Sequence, residues 1–266
     1  MTENNNRAFM YGESVFTTMR MINGTLQDWD LHFDRFRRGV EFLYGPFLEE
    51  DAWPHILKSR LEQKVTELSG NKIVRVTAYR EQARGLLRSG LHSVNDLRLH
   101  LTQNPLDPYP YELKTIKLRT CPLNKRPHWW PAHLKAGNYL DTILSQKKYM
   151  KPGDDDVLFL SEEDTVLESS VANIFILRHN KLFTAPTGPN VLEGVMRKKL
   201  IDVALDYFDE FEETPTTFDQ LMRADAIIGT NSVRGVFLVD RIDDLEIIYN
   251  EQFLVKFQIL RDRIFA

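Results

Sequence analysis

The stretch LKAGNYLD, Leu134 to Asp141, places a lysine three residues ahead of a helix that its pattern predicts from about Asn138. A lysine there belongs to a loop, where its amine can point into a cleft instead of along a solvated helix face. In VLESSVANIFI, Val166 to Ile176, Glu168 falls between strand-like runs at Asp156 to Leu160 and Asn173 to Ile176, hence on a turn or at a strand end. VLEGVMRKK, Val191 to Lys199, then opens a helix at Gly194, with Val195, Met196, Leu200 and Val203 at helical apolar spacing. Helix N-termini present unpaired backbone N–H groups and positive partial charge, so this start suits an anion.

An amine, a carboxylate and an anion cradle together suit pyridoxal phosphate, which needs a lysine for its aldehyde, a group at its pyridine nitrogen and a site for its phosphate. Each feature alone has a plainer explanation, because lysines and glutamates are mostly solvated and glycine at a helix start is ordinary. The chain also carries YGESVFTTMR (Tyr11 to Arg20) and LHFDRF (Leu31 to Phe36), followed by KAGNYLD, ESSVANIF from Glu168, and LEGVMR. In that order, and over nearly the whole chain, these segments resemble the fold-type IV pyridoxal-phosphate enzymes, also called class IV aminotransferases. That family comprises branched-chain aminotransferases, D-amino-acid aminotransferases and aminodeoxychorismate lyases.

The resemblance implies an α+β, two-domain fold like that of D-amino-acid aminotransferase, with Lys135 as the catalytic amine. It implies that Arg35, in H-x-x-R, binds the cofactor phosphate, where a guanidinium fork suits the geometry. Val195 and Met196 would meet the same phosphate at the helix start. Tyr139 would hydrogen-bond the phenolic oxygen, and Glu168 would hold the ring nitrogen protonated. Ser232, in the loop T-N-S-V-R-G, falls where branched-chain enzymes have a threonine that reaches the phosphate. Arginines at 80, 84, 88 and 234 are candidates for substrate carboxylates, with Arg84 and Arg88 in an arginine-rich loop and Arg234 beside Ser232. The family further implies a homodimer acting on a small amine or amino acid.

Composition is that of an ordinary globular protein: 266 residues, 42% hydrophobic and 27% charged, with a formal net charge of -4 and both signs interspersed, which gives no reason to expect nucleic acid. One cysteine, Cys121, excludes an intrachain disulfide and fits a reducing cytoplasm. No run approaches the ~18 apolar residues of a membrane helix. The histidines show neither HExxH nor paired spacing, and CxxC, GxGxxG, P-loop and GxSxG motifs are missing, so metal, nucleotide and serine-hydrolase readings lack support.

Along the chain, Val15 to Met21 reads as a strand, Asn23-Gly24 as a hairpin turn, and Trp29, Phe33, Phe36, Val40 and Leu43 as one face of a helix. A second helix (Trp53 to Leu68) and strands at Ile73 to Tyr79, Leu97 to Leu101 and Thr115 to Thr120 complete a small domain at residues 1–120. The proline-rich run at 121–131 reads as a linker, and 132–266 as the large domain bearing the lysine. For the reaction, the F-T-T-M-R segment and Met196 resemble aminodeoxychorismate lyases, which form para-aminobenzoate and pyruvate, whereas KAGNYLD resembles the branched-chain and D-amino-acid aminotransferases. A non-catalytic scaffold is the alternative of another class.

Overall fold

The computed structural model describes residues 6–45, 51–81, 93–106, 115–122 and 129–265. The chain forms two compact units, Met1–Tyr109 with His133–Tyr139, and Pro110–Ala132 with Leu140–Ala266.

The first unit contains α1 (Arg7–Tyr11), β1 (Ser14–Ile22), β2 (Thr25–Leu26), α2 (Trp29–Tyr44), α3 (Trp53–Val65), β3 (Lys72–Arg80) and β4 (Leu97–Pro105). Its strands form an antiparallel sheet in the order β2-β1-β3-β4. Asn23 and Gly24 have φ of 50 and 79°, the positive values that a two-residue hairpin turn requires, and they set Met21 opposite Leu26. The apolar stripe of α2 buries Phe33, Phe36 and Val40. At Gly39 a Cβ would come within 2.8 Å of Val15 Cγ1, so the lack of a side chain lets the helix close on β1. In β3, Val74, Val76 and Ala78 are buried, whereas Ile73, Arg75 and Thr77 on the other face are partly open.

The second unit contains β5 (Ile116–Pro122), α4 (Leu140–Tyr149), β6 (Asp156–Leu160), β7 (Val166–Ser169), β8 (Asn173–Arg178) and β9 (Lys181–Thr184). It continues through α5 (Val195–Tyr207), β10 (Glu210–Glu213), α6 (Phe218–Leu221), β11 (Ala226–Asn231), β12 (Gly235–Ile242), β13 (Leu245–Glu246) and α7 (Glu251–Phe265). The strand order is β10-β9-β8-β11-β12-β5-β6-β7, and β7 pairs back onto β8, so the strands from β8 to β7 close into a ring. Its seam is one ladder pair, Glu168 opposite Asn173. β8 is buried on both faces. Phe175 and Leu177 pack with Leu200 and Ala204 of α5 and Phe257 and Leu260 of α7. Ile174 and Ile176 pack instead with Leu118, Leu158, Phe237 and Val239. Double burial explains the unbroken apolar run in β8, and full burial of a ring such as Phe175 contributes about 2 kcal/mol.

The units are not divided where the sequence pattern divides the chain. β5, which reads with the first domain, lies between β12 and β6 and runs parallel to both. His133–Tyr139, which reads as the start of the second domain, belongs to the first unit. Apolar periodicity reports which faces of a strand are buried and not which neighbour it pairs with. Among the described residues no helix is long and apolar enough to cross a membrane.

Candidate active site

In the first unit β2 covers only the far end of β1, at Met21 and Ile22. Residues 135–137 pair with the near end: the Phe16 N–H donates to Lys135 O at 2.9 Å, the Gly137 N–H donates to Ser14 O at 2.9 Å, and Val15 bridges to Ala136. A Cβ at Gly137 would lie 2.2 Å from Ser14 Oγ, so the two chains approach this closely only with glycine there. The YGES and KAGN motifs are therefore two sides of one contact, whose product is a placed amine. Lys135 Nζ donates to Tyr139 Oη at 3.1 Å and lies 4.8 Å from the centroid of the Phe16 ring. The Phe16 and Tyr139 rings are themselves 5.7 Å apart.

Arg75 joins this group, although sequence reasoning passed over it as one charge in a strand. It stands opposite Thr18 in the β1–β3 ladder, on the face that also carries Phe16. Its Cζ lies 3.6 Å from the centroid of the Phe16 ring. Burial holds its guanidinium below the usual arginine pKa, and Tyr139 acts weakly in the opposite sense. Neither Arg75 nor Lys135 is paired with an acid among the described residues. Two cations against one ring, without a carboxylate to balance them, favour a ligand that brings negative charge.

Arg35 lies elsewhere in the unit. Thr17 Oγ1 is 2.8 Å from His32 Nδ1 and accepts from Arg35 Nη2 at 3.4 Å, and all three residues are buried. Successive strand residues face opposite sides, so the partners of Thr17 and those of Phe16 lie on opposite faces of the sheet. Lys135 and Tyr139 are thus brought together, and Arg35 is set on the α2 side of β1.

In the second unit a row of residues crosses the sheet. Asn173 has Glu168 opposite it on β7 and Thr230 opposite it on β11. Glu168 Oε2 accepts from the Leu192 N–H at 2.8 Å and from Asn173 Nδ2 at 3.1 Å, and Asn173 Nδ2 also donates to Leu192 O at 2.8 Å. α5 starts two residues beyond Gly194's neighbour Glu193, at Val195, with Gly194 as a cap that offers no side-chain bond, so the N–H groups of the first turn have no partner within the helix. Thr230 is 1% exposed, and its hydroxyl has no hydrogen-bond partner among the described residues. Leaving a buried hydroxyl unsatisfied costs about 1–3 kcal/mol, which a ligand oxygen in reach would recover. Sequence reasoning chose Ser232 from the same loop and missed Thr230. Strand parity carries the signal, since Ala226, Ile228 and Thr230 share the face of β11 that lies under α5.

The remaining expected residues divide as follows. Ser232 is half-buried in the turn where Asn231 Oδ1 accepts the N–H groups of Val233 and Arg234 at 3.0 and 2.7 Å. Arg234 is exposed, with Cζ 5.9 Å from the Phe237 ring centroid. Met196 is 1% exposed and its side chain packs in the core between α5 and the sheet, so only its backbone faces outward from the helix start. Arg80 is buried and shares the Glu13 carboxylate with Arg7, so its guanidinium is engaged within the first unit. Arg84 and Arg88 lie outside the described residues.

Comparison with known proteins shows the family of the chain. The profile of the family Amino-transferase class IV matches residues 14–242, and the chain belongs to that family, whose members are pyridoxal-phosphate-dependent aminotransferases and lyases. It is 24% identical over 246 residues to a D-alanine aminotransferase of Listeria monocytogenes, covering 91% of this chain and 82% of that one. It is 22% identical over 236 residues to an aminodeoxychorismate lyase of Vibrio harveyi, covering 89% and 85%. Among solved structures it superposes on a putative 4-amino-4-deoxychorismate lyase from Legionella pneumophila with a TM-score of 0.80 at 23% identity, covering 99% of this chain and 95% of that one. That likeness shows the fold-type IV architecture.

Proposed function

We propose that the chain holds pyridoxal phosphate on Lys135 and acts on an amine carrying two carboxylates, with aminodeoxychorismate as the first candidate and para-aminobenzoate and pyruvate as products. The observation that carries this reading is two groups meeting on Phe16, Lys135 Nζ at 4.8 Å from the ring centroid for the cofactor aldehyde and Arg75 Cζ at 3.6 Å for a substrate carboxylate, with no acid bound to either among the described residues.

The residues suit the cofactor. The Thr230 hydroxyl, which has no partner among the described residues, and the first-turn N–H groups of Val195 and Met196 are donors for phosphate oxygens, supplemented by Ser232. Tyr139 Oη would meet the phenolic oxygen. When bound, pyridoxal phosphate supplies an aldehyde that takes an amine and a cationic ring that draws electrons from the adjacent carbon. Glu168 holds the proton at the ring nitrogen. Lys135 would move the proton at the substrate α-carbon, with the advantage of short range. Arg75 receives a substrate carboxylate in its guanidinium fork. Aminodeoxychorismate divides into para-aminobenzoate and pyruvate without a co-reactant, so the lyase reaction asks for no second substrate site.

Transamination is the second reading, supported by the KAGNYLD segment and by the likeness to D-alanine aminotransferase. Purified protein given the cofactor should turn yellow, and borohydride should bleach it and leave the label on Lys135. It should then form para-aminobenzoate from aminodeoxychorismate faster than keto acids from L- or D-amino acids supplied with 2-oxoglutarate or pyruvate. Fast transamination without para-aminobenzoate selects the second reading, and the chirality of the accepted donor names its branch. Protein that stays colourless is a binding or interaction scaffold instead.

Arg75→Leu should raise KM for the dicarboxylate by about 10- to 100-fold, the size of a lost charge-assisted contact, with a smaller effect on kcat. An unchanged KM removes Arg75 from the substrate site.

A further inference from the structure

We propose that Asn173 is a positioning residue that fixes the plane of the Glu168 carboxylate and ties it to the start of α5; this inference rests on the cofactor reading given above.

Asn173 sits at the seam where the ring of strands closes, opposite Glu168. It is 5% exposed, and both of its amide donations are committed, at 3.1 Å to Glu168 Oε2 and at 2.8 Å to Leu192 O. Both partners are acceptors, so the amide nitrogen, and not its oxygen, must face them. The Leu192 N–H donates to the same Glu168 Oε2 at 2.8 Å. Side chain from β8, side chain from β7 and backbone from the loop before α5 therefore close a small cycle of hydrogen bonds around one carboxylate oxygen. The last torsion of a glutamate is broad, and a single donor leaves the carboxylate plane free to swing. Two donors converging on one oxygen fix that plane, and with it the direction from which Glu168 can serve the ring nitrogen.

The same amide reaches the phosphate end of the site. A Cβ at Gly194 would lie 2.1 Å from Asn173 Oδ1, so the cap of α5 rests directly on the asparagine. With its nitrogen held by two acceptors the amide cannot rotate away. Thr230, with its unsatisfied hydroxyl, is the next residue along the row. Asn173 thus makes the ring-nitrogen acid and the anion-binding helix start one rigid piece, so the two ends of the cofactor are held at a fixed spacing.

The experiment compares wild type with Asn173→Ala, Asn173→Asp and Gly194→Ala. For each, cofactor affinity is measured by absorbance titration, the protonation of the ring nitrogen by the 15N shift of ring-labelled pyridoxal phosphate across pH, and the melting temperature on the cofactor-free protein. Asn173→Ala should weaken cofactor binding by about tenfold, one charge-assisted hydrogen bond, and its ring nitrogen should lose the proton at lower pH than in wild type, because a carboxylate that has swung away stabilises the proton less. Gly194→Ala should move both readouts in the same direction. Asn173→Asp, which loses both donations and sets a second carboxylate against Glu168, should weaken cofactor binding at about pH 8 at least as far as Asn173→Ala does. Wild-type affinity and 15N signal in Asn173→Ala, with or without a lower melting temperature, would overturn the inference and leave Asn173 a residue of the fold alone. A wild-type protein that takes up no cofactor instead sinks the reading of the site on which the inference rests.

Discussion

On the proposed reading, Lys135→Ala should lower turnover by at least about 10³-fold, since the variant would lose both the amine proposed to anchor the cofactor and the base proposed to move the substrate proton. Folding should be spared. The contact that places Lys135 is made by backbone, with the Phe16 N–H donating to Lys135 O and the Gly137 N–H to Ser14 O, and alanine keeps both. What alanine removes is the Nζ that donates to Tyr139 Oη. Steady-state rates on the substrate found for the wild type, with circular dichroism to verify the fold, measure the effect. A variant that keeps more than about a tenth of wild-type kcat would show that another group performs the proton transfer.

On the same reading, Glu168→Gln should lower kcat by about 10- to 100-fold with little change in KM. The hydrogen bonds explain why an isosteric change has this effect. The Leu192 N–H and Asn173 Nδ2 both donate to Oε2, so a glutamine must turn its carbonyl oxygen to that position. Its NH₂ then occupies the other position, where it donates instead of accepting and cannot hold a proton at a ring nitrogen. Single-turnover kinetics on the cofactor-loaded variant test this, and a kcat near wild type would contradict the assigned role of Glu168.

The elements that the sequence made legible are those whose burial has one dominant side. The α2 stripe of Phe33, Phe36 and Val40, the alternation in β3 and the Asn23-Gly24 turn all announce themselves locally. β10, Glu210–Glu213, does not: it is mostly exposed and acidic, and only its parallel pairing with β9 makes it a strand. The same limit hid the place of β5, since Leu118 reads as a buried strand residue whether its neighbours come from the first unit or from β6 and β12. Of the residues proposed for the site, Lys135 and Glu168 could be picked out because each stands in a motif of the family resemblance. Arg75 could not, because a charge on the open face of an alternating strand is what solvation alone would produce. Only the ring of Phe16 beneath it and the missing acid set it apart. Thr230 was hidden for another reason: the sequence offers a threonine and a serine two positions apart, and only burial shows which hydroxyl lacks a partner.

The bond between Phe16 and Lys135 joins residues roughly 120 positions apart, whereas β1 and β2 are joined by a two-residue turn. Closing the longer loop costs about 3 kcal/mol more in chain entropy than closing a hairpin, so this contact comes late in folding. During synthesis the sheet of β1, β3 and β4 leaves the ribosome long before residue 135 does. The nascent chain therefore displays these strands first, and the Lys135 amine takes its place beside Tyr139 only when residues 135–137 dock along the edge of β1.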